Sequence, residues 1–198
     1  MTPVVSLSPL KGRFNAENMM AAIATAGAFE ISHEAIRSAF AKFRGVPGRM
    51  EEVVSSPLRV IVDYAFTPNA LRQAYGAVKD ASRDNLVCVL GAAGGGRDRW
   101  KRPELGKIAG EFCREVIITN EDPYDENPRS IMEDVTRGVE MSDTHHEIIE
   151  DRRLAIRDAL GSARPGDTVI ITGKGCESAI AVAGGKKIPW DDREVARE

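Results

Sequence analysis

The chain has 198 residues, 29% of them charged, and a formal net charge of -3. That length allows one large α/β domain, or one core with an appendage. The charge balance gives no basic field for nucleic acid, and no apolar run approaches the ~20 residues of a membrane span. The start, "MTPVVSLSPLKGRF", has neither the basic head nor the long apolar stretch of a secretory signal. The three cysteines, Cys88, Cys113 and Cys176, are odd in number and far apart. That spacing argues against a disulfide framework and a metal knuckle, and for a reducing cytoplasm.

In chain order, "FNAENMMAAIATAGAF" spaces its apolar residues as a helix does and opens on asparagines. "SHEAIRSAFAKF" predicts a second helix with Ser32 as its N-cap. "RGVPGRMEEV" breaks the pattern with Gly45, Pro47 and Gly48. A boundary is placed there: residues 1–45, a linker over 46–52, and a domain over 53–198. Beyond it, "LRVIVDYA", "LVCVLGA", "EVIITN" and "DTVIITG" read as buried strands. "NALRQAYGAVKDA", "PELGKIAGEFC", "SIMEDVTRGVE" and "HEIIEDRRLAIRDALGSA" read as helices. The alternation predicts an α/β fold, Rossmann-like, with a mostly parallel sheet covered on both faces. "SAIAVAGGKKIPWDD" predicts a closing hairpin around its Gly-Gly pair.

Such sheets bind ligands outside the carboxyl ends of their strands. The loops there are "DYAFTPN", "GAAGGGRDRWKR", "TNEDPYDENPR" and "TGKGCES". The second reads either as a generic strand–helix turn with solvated charges or as an anion site of backbone N–H groups, with Arg97, Arg99, Lys101 and Arg102 as cationic donors. Its spacing does not fit G-x-G-x-x-G, and no segment of this chain fits the P-loop pattern G-x-x-x-x-G-K-[ST]. "TGKGCES" sets Lys174 between two glycines and reads as a plain turn, in which Glu177 can accept a hydrogen bond from a ligand amine. Cys176 reads as a small turn residue, because no histidine lies near it in sequence. His145 and His146 fall at a predicted helix start on solvated surface, and the charges of "DRRLAIRD" form the wet face of that helix.

Together these segments resemble the C-terminal part of the Mur ligases, most closely the MurE type. "LKGRFNAENMMAAIA" looks like the family's G-R-F-N-x-x-N segment, and "PGRMEEV" looks like its interdomain linker. "VDYAFTPNAL" is similar to V-D-Y-A-H-T-P-D-A-L, "GGGRDRWKRP" to G-x-R-D-x-x-K-R-P, "GKGCE" to G-K-G-H-E, and "IPWDDREVARE" to the closing F-D-D-R-E segment. Six segments in the family's order span nearly the whole chain. The resemblance implies ATP-dependent ligation through an acyl phosphate, with Mg2+, UDP-MurNAc-L-Ala-D-Glu and an amino acid as reactants. It implies a cytoplasmic, monomeric enzyme without nucleic-acid or membrane partners. It also implies that the P-loop, the magnesium ligands and the UDP-sugar domain lie outside this chain, which by itself is expected to be inactive. The chain would then be a piece of a longer ligase or a naturally short gene product. The alternatives are a non-catalytic binding or regulatory module, and another ligase of the superfamily, of MurF or folylpolyglutamate synthase type.

Carried over by motif, Asn15 and Asn18 are expected at adenine, with helix capping as their plainer role. Arg49 and Asp63 are expected at the nucleotide, Asp63 at the ribose hydroxyls. Arg97 is expected to hold the amino-acid carboxylate, and Gly173 and Glu177 to contact the amino acid. Phe66 and Cys176 stand where the family has histidine. In diaminopimelate-adding members, the loop after the third strand reads D-N-P-R, and its arginine holds the distal carboxylate. "ENPR" (Glu126–Arg129) imitates that motif, but register puts Glu121-Asp122-Pro123-Tyr124 in its place and makes Arg129 a first-turn helix residue. Tyr124 then replaces the arginine, and Glu121 and Asp122 make the loop acidic. The expectation is L-lysine or a similar diamino acid, not meso-diaminopimelate.

Overall fold

A computed structural model describes residues 10, 12–81 and 85–198; the nine opening residues of the stretch read for a targeting signal lie outside them. The chain divides into two compact units, Met1–Val46 and Pro47–Glu198.

The first unit holds helices α1 (Arg13–Ala28) and α2 (His33–Lys42). Alanine-rich sequence favours α1, which starts after Gly12 with no side-chain cap. Asn15 and Asn18 lie inside the helix, so the capping alternative for them does not hold. Ser32 does cap α2: its hydroxyl accepts from the Ala35 N–H at 3.3 Å.

The second unit is built on a six-stranded sheet in the order β1-β2-β6-β3-β4-β5. Its strands are β1 (Glu51–Val54), β2 (Arg59–Asp63), β3 (Leu86–Leu90), β4 (Glu115–Ile118), β5 (His145–Ile148) and β6 (Thr168–Thr172). Only β1 runs antiparallel; Glu51 and Glu52, read as linker, begin this edge strand against Val62 and Ile61. Alternate strand residues supply two cores. Ile61, Cys88, Leu90, Val116, Ile118 and Ile170 face α3 (Pro68–Ala81), α4 (Lys101–Phe112) and α5 (Pro128–Val139). Val60, Val62, Val87, Val89, Ile117, Val169 and Ile171 face α6 (Arg152–Ser162) and α7 (Asp192–Arg197). The four inner strands, β2, β6, β3 and β4, are therefore buried on both faces, as continuous β-branched runs require.

Three expectations are corrected. His145 and His146 lie in β5, an edge strand with alternating exposed and half-buried residues, not at a helix start. The helix begins only where Asp151 caps it, its carboxylate accepting from the Leu154 N–H at 3.0 Å. The wet-face reading of "DRRLAIRD" fails at Arg152, which is 3% exposed because its first-turn position aims it at the sheet. Cys88 and Cys113 form a disulfide, with their Cα atoms 6.1 Å apart; β3 and the end of α4 return to the same core across 25 residues of sequence.

The closing hairpin consists of β7 (Ala179–Val182) and β8 (Lys186–Pro189) around Ala183–Gly185.

Candidate functional site

The carboxyl ends of β2, β3, β4 and β6 carry the four loops singled out in the sequence. The β2 exit is tied to the segment before β1. Asp63 accepts the Met50 N–H on Oδ2 and the Ala65 N–H on Oδ1, both at 2.8 Å. Burial raises the Asp63 carboxyl above its ordinary range despite these bonds. Each oxygen thus already has one donor, and any ribose hydroxyl would use a remaining lone pair. The Arg49 guanidinium lies 4.2 Å from the Tyr64 ring centroid.

Tyr64 begins a polar chain that runs through the β6 exit to the β4 exit. Its hydroxyl donates to Glu177 Oε1 at 2.8 Å. Burial and the Glu177 contact push its phenol up to about 12. Lys174 Nζ then donates to Glu177 Oε2 at 2.6 Å and to Asp122 Oδ1 at 2.8 Å. Lys174 is 1% exposed. The plain-turn reading of "TGKGCES" is therefore corrected: the glycines on either side let backbone pack closely while the lysine turns inward. Gly173 has φ +105, and a Cβ there would strike the Glu121 carboxylate.

Glu121 is 4% exposed, and its Oε2 has no hydrogen-bond partner. Burial raises its carboxyl to about 7, against the lowering pull of Arg152 and Lys174. Neither acid of this loop is free: Glu121 is buried and Asp122 is bonded to Lys174 and to the Ala181 N–H at 2.7 Å. Tyr124 adopts φ 51, and its ring covers Gly95 of the β3 loop. Asn127 caps α5, and Arg129 is a first-turn residue paired with Glu133 at 3.2 Å.

The basic loop after β3 splits into two classes. Arg102 is 1% exposed and bonds Ala93 O, Glu126 and Asp134, so it braces the fold rather than offering a ligand donor. Arg99 pairs with Glu126 at 3.0 Å. Arg97 is exposed and lines a cavity of about 610 Å³ with Phe66, Asn69, Trp100 and Lys101. Lys101 Nζ sits 5.2 Å from the Phe66 ring centroid. A second cavity, about 290 Å³, is lined by Asp122, Tyr124, Lys174, Cys176, Glu177 and Lys187, among others.

Of the sequence-predicted residues, Asp122, Tyr124 and Glu177 meet in the smaller cavity and Arg97 lies in the larger. Glu121 and Gly173 pack on each other beneath the loops. Asn15 and Asn18 belong to the first unit. Sequence reading missed Tyr64, Lys174 and Lys187; the lysine between two glycines was the available sign of a buried cation. Among the described residues, no three histidine, cysteine, aspartate or glutamate side chains converge on a metal site.

Comparison with known proteins matches residues 48–175 to the family described as Mur ligase, glutamate ligase domain. A UDP-N-acetylmuramoyl-L-alanyl-D-glutamate–2,6-diaminopimelate ligase from Gloeobacter violaceus is 45% identical over 193 residues, 96% of this chain and 39% of that protein. The enzyme of the same name from Thermosynechococcus vestitus is 44% identical, with 96% and 38% covered. The chain thus spans about two fifths of the length of these relatives. A solved structure of a ligase with that name matches with TM-score 0.73 and 36% identity over 96% of this chain and 39% of the other. Folylpolyglutamate synthase from Mycobacterium tuberculosis, complexed with ADP, shares the fold, with TM-score 0.68 and 24% identity over 84% of this chain and 38% of the other.

Proposed function

On the premise that this chain belongs to the Mur ligase family, we propose that it is the C-terminal domain of a MurE-type ligase. The whole protein would add a diamino acid to UDP-MurNAc-L-Ala-D-Glu at the expense of ATP. The observation that carries this reading is the chain Tyr64–Glu177–Lys174–Asp122. It ties the β2 exit, next to the nucleotide candidates Arg49 and Asp63, to the loops expected to hold the amino acid.

In this reading Arg97 grips the α-carboxylate with its planar fork. Arg49 and Asp63 meet the nucleotide, and Asn15 and Asn18 meet adenine. Glu177, held by Tyr64 and Lys174, accepts from the incoming amine, with Gly173 beside it. ATP supplies the phosphoryl group that activates the D-glutamate carboxylate, and the amine then displaces phosphate. Mg2+ is expected with ATP, but the described residues offer it no ligand set, and no step here passes through it. A cytoplasmic, monomeric enzyme with residues 1–45 as a remnant of the ATP-binding domain completes the proposal. The cysteines no longer argue for that location, since two of them pair.

The expectation of L-lysine rested on Tyr124 in the arginine's place and on Glu121 and Asp122 as acids that repel a distal carboxylate. Glu121 is buried and Asp122 is bonded to Lys174, which weakens the repulsion, while Tyr124 still stands where the arginine would be. The relatives carry 2,6-diaminopimelate in their names. The test is ligation by the full-length protein with a panel of amino acids. Tripeptide formation with a diamino acid supports the reading, and ligation of glutamate to a folate instead would move the protein to another branch of the superfamily.

A further inference from the structure

The sheet itself does not connect the exits of β4 and β6. β3 lies between them and pairs with both, and they make no ladder with each other. Their loops meet all the same, since a Cβ on Gly173 would strike the Glu121 carboxylate. Asn120 precedes Glu121, and Thr172 precedes Gly173. Arg152 joins those two preceding residues. Its Nη1 donates to Asn120 O at 3.2 Å and its Nη2 to Thr172 O at 2.9 Å. The bond from Lys174 to Asp122 repeats the link farther along both loops.

Arg152 is held for this reach from behind. Nε and Nη2 donate to the two carboxylate oxygens of Asp192, both at 2.8 Å, and the two side chains are 1% and 0% exposed. Asp192 also accepts from Trp190 Nε1 at 2.8 Å, and the Trp190 backbone N–H donates to Ser178 O at 3.0 Å. The segment that seats the arginine is therefore tied to the loop after β6 as well.

Stability does not call for this cation. Arg152 is the first residue of α6, directly after the cap Asp151, where the helix dipole disfavours positive charge. A buried ion pair stabilises a fold no more than well-packed apolar side chains of similar volume. Apolar side chains, however, cannot hold two carbonyl groups at once, whereas the planar fork of an arginine can.

We propose that Arg152, seated by Asp192, is a positioning residue for the ligation: it fixes the spacing of the β4 and β6 exits, and through them the Asp122–Lys174–Glu177 chain that faces the incoming amino acid. It touches no substrate itself. This rests on the ligase reading and on placing the amino acid at these two exits.

The experiment measures KM for the amino acid, KM for ATP and kcat in the full-length ligase, with the diamino acid that the wild type ligates. The variants are Arg152→Met/Asp192→Leu and Arg152→Lys. The double variant removes both buried charges and should unfold at nearly the wild-type urea concentration, so its kinetics report position rather than folding. It should raise KM for the amino acid about tenfold and leave KM for ATP within about twofold of wild type. Arg152→Lys keeps a cation beside Asp192 but lacks the fork, and should raise KM for the amino acid similarly. It carries the comparison if the double variant does not fold. A folded variant with the wild-type KM for the amino acid, an equal rise in both KM values, or failure of both variants to fold overturns the positioning role and leaves the ligase reading intact. A wild type that ligates no diamino acid overturns both.

Discussion

The ion pair Arg152–Asp192 joins the first turn of α6 to α7 with side chains 1% and 0% exposed. Arg152 Nε and Nη2 donate to the two carboxylate oxygens, both at 2.8 Å. Its remaining donors reach Asn120 O at 3.2 Å and Thr172 O at 2.9 Å, at the ends of the strands that carry the site. Trp190 Nε1 also donates to Asp192, at 2.8 Å. Asp192→Ala removes three hydrogen bonds and leaves a buried guanidinium with two carbonyl acceptors. Breaking a buried pair from one side costs about 3–5 kcal/mol, and the surviving carbonyl bonds place this case near 3. With a urea m-value of about 2 kcal/mol per M, the unfolding midpoint falls by about 1.5 M. The double variant Arg152→Met/Asp192→Leu removes both charges and should lie within about 1 kcal/mol of wild type. Urea titrations followed by circular dichroism measure all three proteins. A loss under about 1 kcal/mol in Asp192→Ala, or a double variant as unstable as the single one, would refute the reasoning.

Glu121 makes the stability of the chain depend on pH. Its folded carboxyl is raised to about 7 from 4.5 by burial, with Arg152, Lys174 and Lys101 opposing and Asp122 assisting. The folded state holds the proton more tightly, so the contribution is full below the unfolded value and is lost as pH rises through about 7. Glu121→Gln should flatten that slope and raise stability at pH 8 by on the order of 2 kcal/mol; thermal melts at pH 5 and pH 8 check it, and equal slopes in both proteins would count against it. Lys174→Ala strands Asp122 beside Glu177, and should cost about 2–3 kcal/mol after discounting the partly exposed Glu177. Urea unfolding reads that cost, and a near-neutral result would mean the lysine is not the buried bridge described. Tyr64→Phe removes the hydroxyl bond to Glu177 and should cost about 1 kcal/mol. In the full-length ligase it should raise KM for the amino acid more than KM for ATP, and an equal rise in both would deny Tyr64 its place beside Glu177.

The sheet was legible because its strands are short continuous β-branched runs, and both cores claim their alternate residues. Two glycine-bearing loops were legible as well, and so was the place of Arg129 in the first turn of α5, since Asn127 and Pro128 mark where that helix begins. What escaped were pairings across long stretches of sequence. Arg152 reads as helix surface until Asp192 arrives from 40 residues away to bury it. Cys88 and Cys113 read as isolated until α4 returns to the sheet. His145 and His146 read as helix because the apolar pair behind them continues toward α6; an edge strand with one face exposed leaves little β signal in so short a run. In the site, the acids of the 121–124 loop were visible but their partners were not. Lys174 and the hairpin that brings Lys187 come from a different strand exit, and their charges balance the carboxylates of Asp122 and Glu177 in the cavity wall.

The central claim is tested most directly by incubating the full-length protein with ATP, Mg2+, UDP-MurNAc-L-Ala-D-Glu and either meso-diaminopimelate or L-lysine, and identifying the product by mass. The account predicts a UDP-MurNAc-tripeptide with ADP and phosphate released one for one. Absence of tripeptide with every diamino acid, from a protein that is folded and binds ATP, would contradict it.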